Sequence, residues 1–317
     1  MQPVAAAFCF NDAYCPVAAA AVGSLIAHAG AGRHYDLYIV SPDLSAGSRG
    51  QLSAMTCGHD VTLEVVDFDV QERSGRRLGH AHYSSHVFTK LYLPQILSHL
   101  PRVLYLDSDT VVMADVASLY DCDLQGHAVG AVADASVDAN PRGFGALCRN
   151  CGLPPHASMA DYVTRHLGLE AGAVAGYFNS GVLLLDTARA AGPLERRLDE
   201  LLEGHYAYPD QDILNVVFAA DRLLLETRWN IHVTAASDAD ALARASILHY
   251  TGIPKPCDDI HPVTDRTLPY WQAIAATPFF AEALERYASA RARAALRAMI
   301  KFNAMPGAGG GDPGRRP

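Results

Sequence analysis

Strand-like and helix-like segments alternate along the first third of the chain, and this order leaves few folds open. Apolar runs at 4–10, 35–40 and 61–69 have the β-branched and aromatic content of buried strands, while residues 16–29 and 46–55 have helical patterns. Strands that are joined through helices pair in parallel, because the connecting helix carries the chain back over the sheet. The sequence therefore predicts an α/β fold with a Rossmann-like, mixed but largely parallel sheet that is flanked by helices.

The remainder of the chain continues this pattern with one interruption. It predicts helices at 84–97, 193–202 and 208–220, the last after a short loop, and strands at 103–106, 127–134, 178–186, 222–230 and 245–250. The interruption is the segment 136–177, which is rich in glycine, proline and cysteine and is predicted as a loop-rich insert with a helical patch near 160–167. We expect one domain over residues 1–277, an amphipathic helical extension over 278–302 and a disordered tail over 303–317.

Composition narrows the classes of protein to be considered. The net charge is −9 and no basic stripe is present, which argues against nucleic acid as a partner. The seven cysteines are scattered, so we expect a reducing, cytoplasmic location. Cys148 and Cys151 form a lone C-x-x-C pair, which is interpreted as two incidental thiols, with a metal or redox role as the alternative. No basic residue precedes the first apolar segment, which is predicted as a buried helix rather than a signal peptide.

Two carboxylates, Asp107 and Asp109, directly follow the apolar run 103–106. Side chains alternate along a strand, so both carboxylates are expected on one face, at the carboxyl end of a strand, where open α/β sheets bind their ligands. Burying two like charges is costly unless a cation lies between them. Oxygen ligands of this kind suit Mn²⁺ or Mg²⁺. The structural alternative is that the two residues only cap the end of the strand.

Two classes of enzyme carry such a D-x-D pair after a hydrophobic strand. Haloacid-dehalogenase-like phosphatases have a hydrophobic strand followed by D-x-D-x-T, with the first aspartate as nucleophile and the second as general acid. Residues 103–110 share the strand and the D-x-D of this pattern, with the threonine one position earlier. That class carries its motif near the start of the catalytic domain, whereas a long α/β region precedes Asp107 here. Metal-dependent glycosyltransferases of the GT-A type use D-x-D for a cation that bridges the diphosphate of a nucleotide sugar.

Four separated motifs favour the second class. In chain order they are FTKLYLPQIL…RVLYLDSDTVV, YFNSGVLLLD, YPDQDILN and HYTGIPKP. Together they resemble glycosyltransferase family 8, whose members are retaining enzymes with a GT-A fold and include bacterial lipooligosaccharide galactosyltransferases and lipopolysaccharide glucosyltransferases. The resemblance extends from about Val4 to Phe280.

The resemblance implies which residues form the reaction centre. The cation would be held by Asp107, Asp109 and His249, the last of which heads the motif H-x-x-G-x-x-K-P. Asp210 and Gln211 match the pair beneath the anomeric carbon of the donor sugar. Asp210 would bind sugar hydroxyls, and Gln211 would lie on the face where a nucleophile or an ion-pair stabiliser is required.

The resemblance also implies a donor site. Tyr14 would stack on the uracil, and Asp12 would accept a hydrogen bond from the base or the ribose. Lys90 would reach the donor sugar and the diphosphate, and Lys255 would bind the diphosphate from a loop that Gly252 allows to approach closely. The complete set of substrate-binding candidates is Phe10, Asn11, Asp12, Tyr14, Lys90, Ser108, Asp134, Asn179, Ser180, Asp210, Gln211, Gly252 and Lys255.

The expected reaction is the retaining transfer of glucose or galactose from a UDP-sugar to a hydroxyl of a saccharide or glycolipid, with Mn²⁺, or else Mg²⁺, as cofactor. The insert 136–177 is expected to cover the active site and to select the acceptor. The helix at 278–302 is expected to pack on the core, with peripheral contact to the inner face of a membrane as the alternative. Besides the phosphatase, an inactive sugar-nucleotide-binding protein is the third hypothesis, against which the intact D-x-D and D-Q-D motifs argue.

Overall fold

The computed structural model describes residues 2–78, 85–134, 141–154, 156–234, 237–252 and 254–303. Within these ranges the chain forms ten strands, which are β1 (Val4–Cys9), β2 (Tyr35–Ser41), β3 (Val61–Asp67), β4 (Arg102–Leu106), β5 (Thr110–Val112), β6 (Val129–Ala133), β7 (Phe178–Asp186), β8 (Arg222–Leu224), β9 (Ile231–His232) and β10 (Ile247–His249).

The same ranges contain twelve α-helices, which are α1 (Cys15–Ala27), α2 (Ala46–Ala54), α3 (Val70–Ser74), α4 (Leu93–Ile96), α5 (Ala117–Tyr120), α6 (Pro141–Asn150), α7 (Met159–Arg165), α8 (Thr187–Leu201), α9 (Pro209–Val217), α10 (Ala239–Ala243), α11 (Leu268–Ala275) and α12 (Phe280–Asn303). They also contain 3-10 helices at Asp12–Tyr14, Ser85–Tyr92, Ala171–Gly176, Thr227–Trp229 and Pro256–Asp258.

The main sheet has seven strands in the order β3-β2-β1-β4-β7-β6-β8. β1 pairs in parallel with β2 and β4, and β2 pairs in parallel with β3, as expected for strands joined through helices. β7 runs antiparallel to both of its neighbours, β4 and β6. The prediction of a mixed, largely parallel sheet flanked by helices is therefore confirmed.

Helix α1 is buried, as predicted from its small apolar side chains. Pro16 lies in its first turn, where the missing N–H leaves no hydrogen bond unmade. Every residue from Cys15 to Val22 is buried, since alanine and valine let the helix approach its neighbours closely. Among the described residues, no helix is both long enough and apolar enough to cross a membrane.

A smaller sheet of three strands, in the order β5-β10-β9, follows the carboxyl end of β4. β4 ends at Leu106, and the chain turns through residues 107–109 into β5. β10 pairs with β5 in the antiparallel direction, which places His249 opposite Thr110. The turn with the two aspartates therefore joins the two sheets, and a strand of the smaller sheet brings His249 to it.

Two segments differ from the predicted secondary structure. Residues 84–97 were expected to form one helix, but the structure has a 3-10 helix followed by the short α4, because Pro94 is tolerated only in the first turn of an α-helix. Residues 222–230 were expected to form one strand. They instead leave the main sheet after β8 and reach the smaller sheet at β9, so a 3-10 turn at Thr227–Trp229 must intervene.

The insert is more helical than the sequence indicated. Its described residues include α6, α7 and a 3-10 helix, whereas residues 136–140 lie outside the described part of the chain. Apolar side chains such as Tyr162 and Val163, both 0% exposed, connect it to the core. Burial raises the pKa of the thiols of Cys148 and Cys151. Among the described residues no third His, Cys, Asp or Glu joins these two cysteines at metal-binding distance, so the metal alternative gains no support.

Helix α12 packs on the loop after β10 through one of its faces. The guanidinium of Arg286 pairs with Asp258 (2.7 Å), and Ala283 is 0% exposed. Leu284 and Leu296 are exposed on the same helix. The packing that was expected for this segment is present, while the domain boundary at residue 277 remains a prediction and residues 304–317 lie outside the described part.

Candidate active site

The two aspartates lie in a tight turn whose backbone is fixed at both ends. The N–H of Asp107 donates to the carbonyl of Gly181 on β7 (2.7 Å), and the N–H of Thr110 donates to the carbonyl of Asp107 (3.2 Å). The hydroxyl of Thr110 donates to the same carbonyl (2.8 Å). Because β4 ends at Leu106, the expected alternation of side chains along one strand does not apply to Asp107 and Asp109. The turn, rather than the pleat of a strand, brings their carboxylates together.

Asp107, Asp109 and His249 converge at the carboxyl end of β4. One ligand atom of each residue, a carboxylate oxygen or an imidazole nitrogen, lies within 4.8 Å of the other two. Nε2 of His249 is 3.2 Å from Oδ1 of Asp109 and 3.6 Å from Oδ2 of Asp107. Two oxygens and one imidazole nitrogen are a donor set that suits a divalent cation. The three predicted ligands are thus brought together, and they fit such an ion.

In each carboxylate of the turn, one oxygen contacts a lysine and the other faces His249. Oδ1 of Asp107 accepts from Nζ of Lys90 (2.8 Å), while Oδ2 is directed toward His249. Lys255 contacts Oδ2 of Asp109, and Oδ1 of Asp109 faces His249. Burial opposes the ionisation of Asp109, but Lys255 and His249 hold its pKa well below the usual range. One oxygen of each carboxylate therefore remains directed at the point where the triad converges.

Lys90 is enclosed, with its side chain 4% exposed. Its Nζ contacts Oδ2 of Asp210 (2.7 Å) as well as Asp107, and it lies 3.3 Å from Oγ of Ser180 and 4.8 Å from the ring centroid of Tyr105. Burial alone would lower the pKa of Lys90, but Asp107 and Asp210 raise it above its ordinary value. Lys90 therefore links two carboxylates, and its predicted contact with a donor would require one of these bonds to open.

Gln211 lies in a buried network of polar side chains that adjoins the triad. Its Oε1 accepts from the N–H of Ser180 (3.1 Å) and from Nδ2 of Asn179 (3.0 Å). Its Nε2 donates to Oδ2 of Asp134 (2.8 Å) and lies 3.2 Å from the hydroxyl of Tyr177. Because a backbone N–H can only donate, Ser180 fixes which end of the amide carries the oxygen. Four of the predicted substrate-binding residues are thus joined in one network.

Asp212, in the first turn of α9, supports this network through its hydrogen bond with Tyr177. It is 0% exposed and accepts from the hydroxyls of Tyr162 (2.6 Å) and Tyr177 (2.5 Å) and from the N–H of Tyr208 (2.9 Å). Burial raises the pKa of Asp212 to about 7, although these hydrogen bonds oppose the shift. Since Tyr177 also contacts Gln211, Asp212 holds the tyrosine in place.

The loop after β1 contributes its predicted residues in different ways. The ring of Phe10 is 2% exposed and belongs to the core. Oδ1 of Asp12 accepts from the N–H of Ser45 (3.0 Å), so the carboxylate connects this loop to the start of α2. The hydroxyl of Ser108 donates to the carbonyl of Cys9 (3.2 Å). These contacts position the loop. The predicted roles of Phe10 and Asp12 in uridine binding and of Ser108 in substrate binding stay predictions.

Tyr14 is the member of this loop that lies close to the triad. Burial raises its pKa, and the charges of Asp109 and Asp107 raise it further. Its N–H donates to the carbonyl of Asn11 (3.0 Å), which closes the 3-10 turn between β1 and α1. The predicted stacking of Tyr14 on a base is compatible with this place beside the candidate cation site.

The loop after β10 brings Lys255 to the triad. Gly252 has a φ of +81°, a backbone conformation that a side chain would strain. Nζ of Lys255 donates to the carbonyl of Tyr250 (3.0 Å) in addition to its contact with Asp109. The glycine therefore permits the sharp turn that returns the lysine to the carboxylates.

Four buried residues of the site were not predicted, namely Tyr105, Tyr177, Asp212 and Asn230. Tyr105 and Tyr177 each lie within one of the quoted motifs, and Asp212 is the second aspartate of D-Q-D, so these motifs were a usable signal. Asn230 is 5% exposed and hydrogen-bonds His249 (2.9 Å), but it lies in a segment that carries no motif.

Comparison with known proteins agrees with this geometry. The sequence model of the family described as glycosyl transferase family 8 matches residues 5–261. General stress protein A of Bacillus subtilis (strain 168) is 22% identical over 292 residues, covering 83% of this chain and 91% of that protein. Lipopolysaccharide 1,2-glucosyltransferase of Escherichia coli (strain K12) is 30% identical over 189 residues, covering 55% of this chain and 49% of that protein. Probable galacturonosyltransferase-like 3 of Arabidopsis thaliana is also 30% identical, over 192 residues, 53% of this chain and 49% of that protein. The match therefore spans about half the length of the last two relatives.

Solved structures support the fold. The crystal structure of the galactosyltransferase LgtC in complex with donor and acceptor sugar analogs has a TM-score of 0.66 at 21% identity, covering 87% of this chain and 96% of that one. The apo structure of the bifunctional glycosyltransferase WbbM has a TM-score of 0.71 at 23% identity, covering 90% of this chain and 52% of that one. The fold is thus the GT-A fold, and the family match extends over most of the chain. The protein is a glycosyltransferase that belongs to family 8.

Proposed function

We propose that the protein transfers glucose or galactose from a UDP-sugar to a hydroxyl of a saccharide or glycolipid acceptor, with retention at the anomeric carbon and with Mn²⁺ as cofactor. The observation that carries the proposal is the convergence of Asp107, Asp109 and His249 next to the network of Gln211. When a nucleoside diphosphate departs, a cation on the triad would offset the negative charge on the leaving group. The positioned amide would stabilise the positive charge at the anomeric carbon.

The roles follow from the contacts that each side chain already makes. Asp107, Asp109 and His249 would hold the cation, which would offset the charge that builds on the departing diphosphate. Lys255 would move from Asp109 to the diphosphate, because its ammonium group already lies at the triad. Asp210 accepts from Ser180 (2.9 Å) through Oδ2, which leaves Oδ1 to accept from the sugar hydroxyls.

The positioned amide lies on the opposite side of the reacting carbon in this proposal. Asn179 and Ser180 direct their hydrogen bonds to Oε1 of Gln211, which keeps that oxygen, rather than the NH₂ group, on their side. An oxygen held there would stabilise the positive charge that develops at the anomeric carbon, while Asp134 anchors the other end of the amide.

The acceptor and the location complete the proposal. A saccharide or glycolipid acceptor fits the Escherichia coli relative, whose name includes lipopolysaccharide. We place the protein in the cytoplasm, with peripheral contact to the inner face of the membrane through α12. Leu284 and Leu296 are exposed on that helix and support the contact, whereas Arg286 is already paired with Asp258 and would contribute less.

A donor screen tests the function. The full chain with Mn²⁺ should release UDP from UDP-glucose or UDP-galactose and no inorganic phosphate from phosphomonoesters. UDP-galacturonic acid belongs in the screen, because several Arabidopsis relatives are named probable galacturonosyltransferase-like. The NMR coupling of the transferred sugar should show the α configuration of the donor. Phosphate release with an aspartyl-phosphate trapped on Asp107 would establish the phosphatase instead, and UDP-sugar binding without turnover under any condition would establish the inactive binding protein.

Exchange of Lys255 for arginine tests the role of the loop. The chain has lysine only at residues 90, 255 and 301, and arginine provides its other permanently positive side chains. A guanidinium is broad and planar, whereas the space between Asp109 and the carbonyl of Tyr250 accommodates a compact ammonium. Lys255→Arg should lower kcat/KM on the order of tenfold, or about 1.4 kcal/mol. Lys301→Arg, in the last turn of α12, is the control that should not change it. Equal values for both variants would show that the loop needs only a positive charge.

A further inference from the structure

Asn230 lies between the candidate metal ligand His249 and the network of Gln211. Its Oδ1 is 2.9 Å from Nδ1 of His249, and its Nδ2 is 2.8 Å from Oδ1 of Asn179. Asn230 and His249 are 5% and 3% exposed, so water does not compete readily for these bonds. Asn230 follows the 3-10 turn of residues 227–229, at the point where the chain enters the smaller sheet. It therefore joins the triad to the network of Gln211, as Lys90 also does through Asp107 and Ser180.

The direction of each hydrogen bond in this chain of contacts is set by a backbone group. The N–H of Gly181 donates to Oδ1 of Asn179 (2.9 Å), which identifies that atom as the oxygen. Asn230 must then present its NH₂ group to the same oxygen, and its own oxygen must face His249. An oxygen at this place can only accept, so Nδ1 of His249 carries the hydrogen. With the hydrogen on Nδ1, the neutral ring has its lone pair on Nε2, the atom that faces Asp107 and Asp109 and that would bind a cation held there.

The ring of His249 cannot easily rotate out of this arrangement. The ring of His232 packs edge-on against it, with the centroids 5.5 Å apart and an interplanar angle of 88°. Gly181 also approaches the ring so closely that a Cβ there would lie 2.1 Å from Cε1 of His249. The tautomer is therefore the remaining degree of freedom of the ring, and Asn230 is the residue that determines it.

We infer that Asn230 is a positioning residue that holds the hydrogen of His249 on Nδ1 and at the same time supports the amide of Asn179, which donates to Gln211. A histidine that binds a metal through one nitrogen commonly donates its other N–H to a fixed acceptor, which orients the ring and sets its tautomer. The use of Nε2 toward a cation rests on the proposed function, whereas the hydrogen bond from Nδ1 to Asn230 is a property of the protein without any ion.

The direct test measures the tautomer by the ring ¹⁵N shifts of His249. The full-length chain is studied free, at a pH where the spectra show the ring to be neutral, and again with Mg²⁺ and UDP. The signals are assigned by their loss in His249→Asn. With Mg²⁺ and UDP we expect Nδ1 to carry the hydrogen and Nε2 to be unprotonated, and in the free protein we expect Nδ1 to keep its hydrogen, because its acceptor on Asn230 is unchanged. A free protein in which Nδ1 carries no hydrogen would overturn the inference.

Two variants separate the two contacts of Asn230. Asn230→Ala removes both, so the tautomer preference should be lost and the affinity for Mn²⁺ in the presence of UDP should fall by about ten- to a hundredfold, measured by calorimetry. Asn230→Asp keeps an acceptor for Nδ1–H but places an oxygen against Oδ1 of Asn179. It should retain the tautomer and bind Mn²⁺ with UDP no more weakly than wild type, while kcat falls by about tenfold or more.

Asn215→Ala is the matched control for a buried asparagine. Asn215 is 2% exposed and connects α9 to Phe178 on β7, but it does not touch His249. It should lower stability and leave the tautomer unchanged. A wild-type tautomer in Asn230→Ala would overturn the inference, even with metal binding impaired. If wild type binds no Mn²⁺ with UDP yet shows the Nδ1–H tautomer that Asn230→Ala loses, the metal role of the proposed function fails and the positioning role stands.

Discussion

Asp109→Asn should reduce sugar transfer on the order of a thousandfold in kcat/KM, about 4 kcal/mol of transition-state stabilisation. The amide is uncharged, so it leaves Lys255 and His249 beside a site that has lost half of its carboxylate charge. The slow hydrolysis of the donor should fall with the transfer, because both need the charge on the departing diphosphate to be offset. Calorimetry with Mn²⁺ and UDP should show sharply weaker binding, which identifies the metal site as the cause.

Asp60→Asn provides a control at the opposite edge of the sheet. Asp60 precedes β3, and its exposed side chain pairs with His34 far from the triad. It should leave activity and Mn²⁺ binding at wild-type values, and thermal unfolding should confirm that both variants fold. Undiminished turnover by Asp109→Asn in the presence of a chelator would remove the metal from the mechanism.

Gly181→Ala should abolish activity almost as completely, although it changes neither charge nor any polar group. The added Cβ would lie 2.1 Å from Cε1 and 2.6 Å from Nδ1 of His249, well inside van der Waals contact, so the ring or β7 must move. The displaced ring would lose its alignment with Asp107 and Asp109. We expect a loss of at least about a hundredfold in kcat/KM, or about 2.7 kcal/mol, together with weaker Mn²⁺ binding.

Gly50→Ala is the matched control, because a Cβ on Gly50 in α2 meets nothing within 4 Å. It should leave activity unchanged and stabilise the protein by about 0.5 to 1 kcal/mol, since alanine favours a helix over glycine. A Gly181→Ala enzyme with wild-type kcat/KM would mean that the position of His249 does not matter for turnover, and the proposed role of His249 as a metal ligand would have to be abandoned.

The sequence allowed the fold and the triad to be predicted because both are carried by local patterns. The alternation of β1, α1, β2, α2 and β3 depends on apolar periodicity, which each segment shows without its neighbours. Asp107, Asp109 and His249 lie in short motifs of recognisable spacing, and the structure brings them within 4.8 Å. Alternation along a strand does not bring the two carboxylates together, but it predicts the same location, because β4 ends where the turn of residues 107–109 begins.

The remaining features depend on contacts between distant parts of the chain, which no local pattern records. Lys90 pairs with Asp107 and with Asp210, which lies in a different motif far along the chain, while its predicted contact with a donor stays a prediction. Asn230 has no motif, and its importance appears only when His249 and Asn179 are placed on either side of it. The interruption between β8 and β9 was missed for the same reason, since it reflects passage from one sheet to another.

Because the turn of residues 107–109 joins two sheets, the candidate active site is completed late during synthesis of the chain. Asp109 is paired with Lys255, and the two are 146 positions apart. At a synthesis rate of about 5 to 20 residues per second, roughly 7 to 30 seconds separate their emergence from the ribosome. During that interval the neighbouring carboxylates have neither His249 nor Lys255 to balance them, and β5 lacks its partner β10. The main sheet up to β7 can form early, whereas the candidate active site is completed only when the last strand pairs, so truncated chains would retain much of the fold without the chemistry.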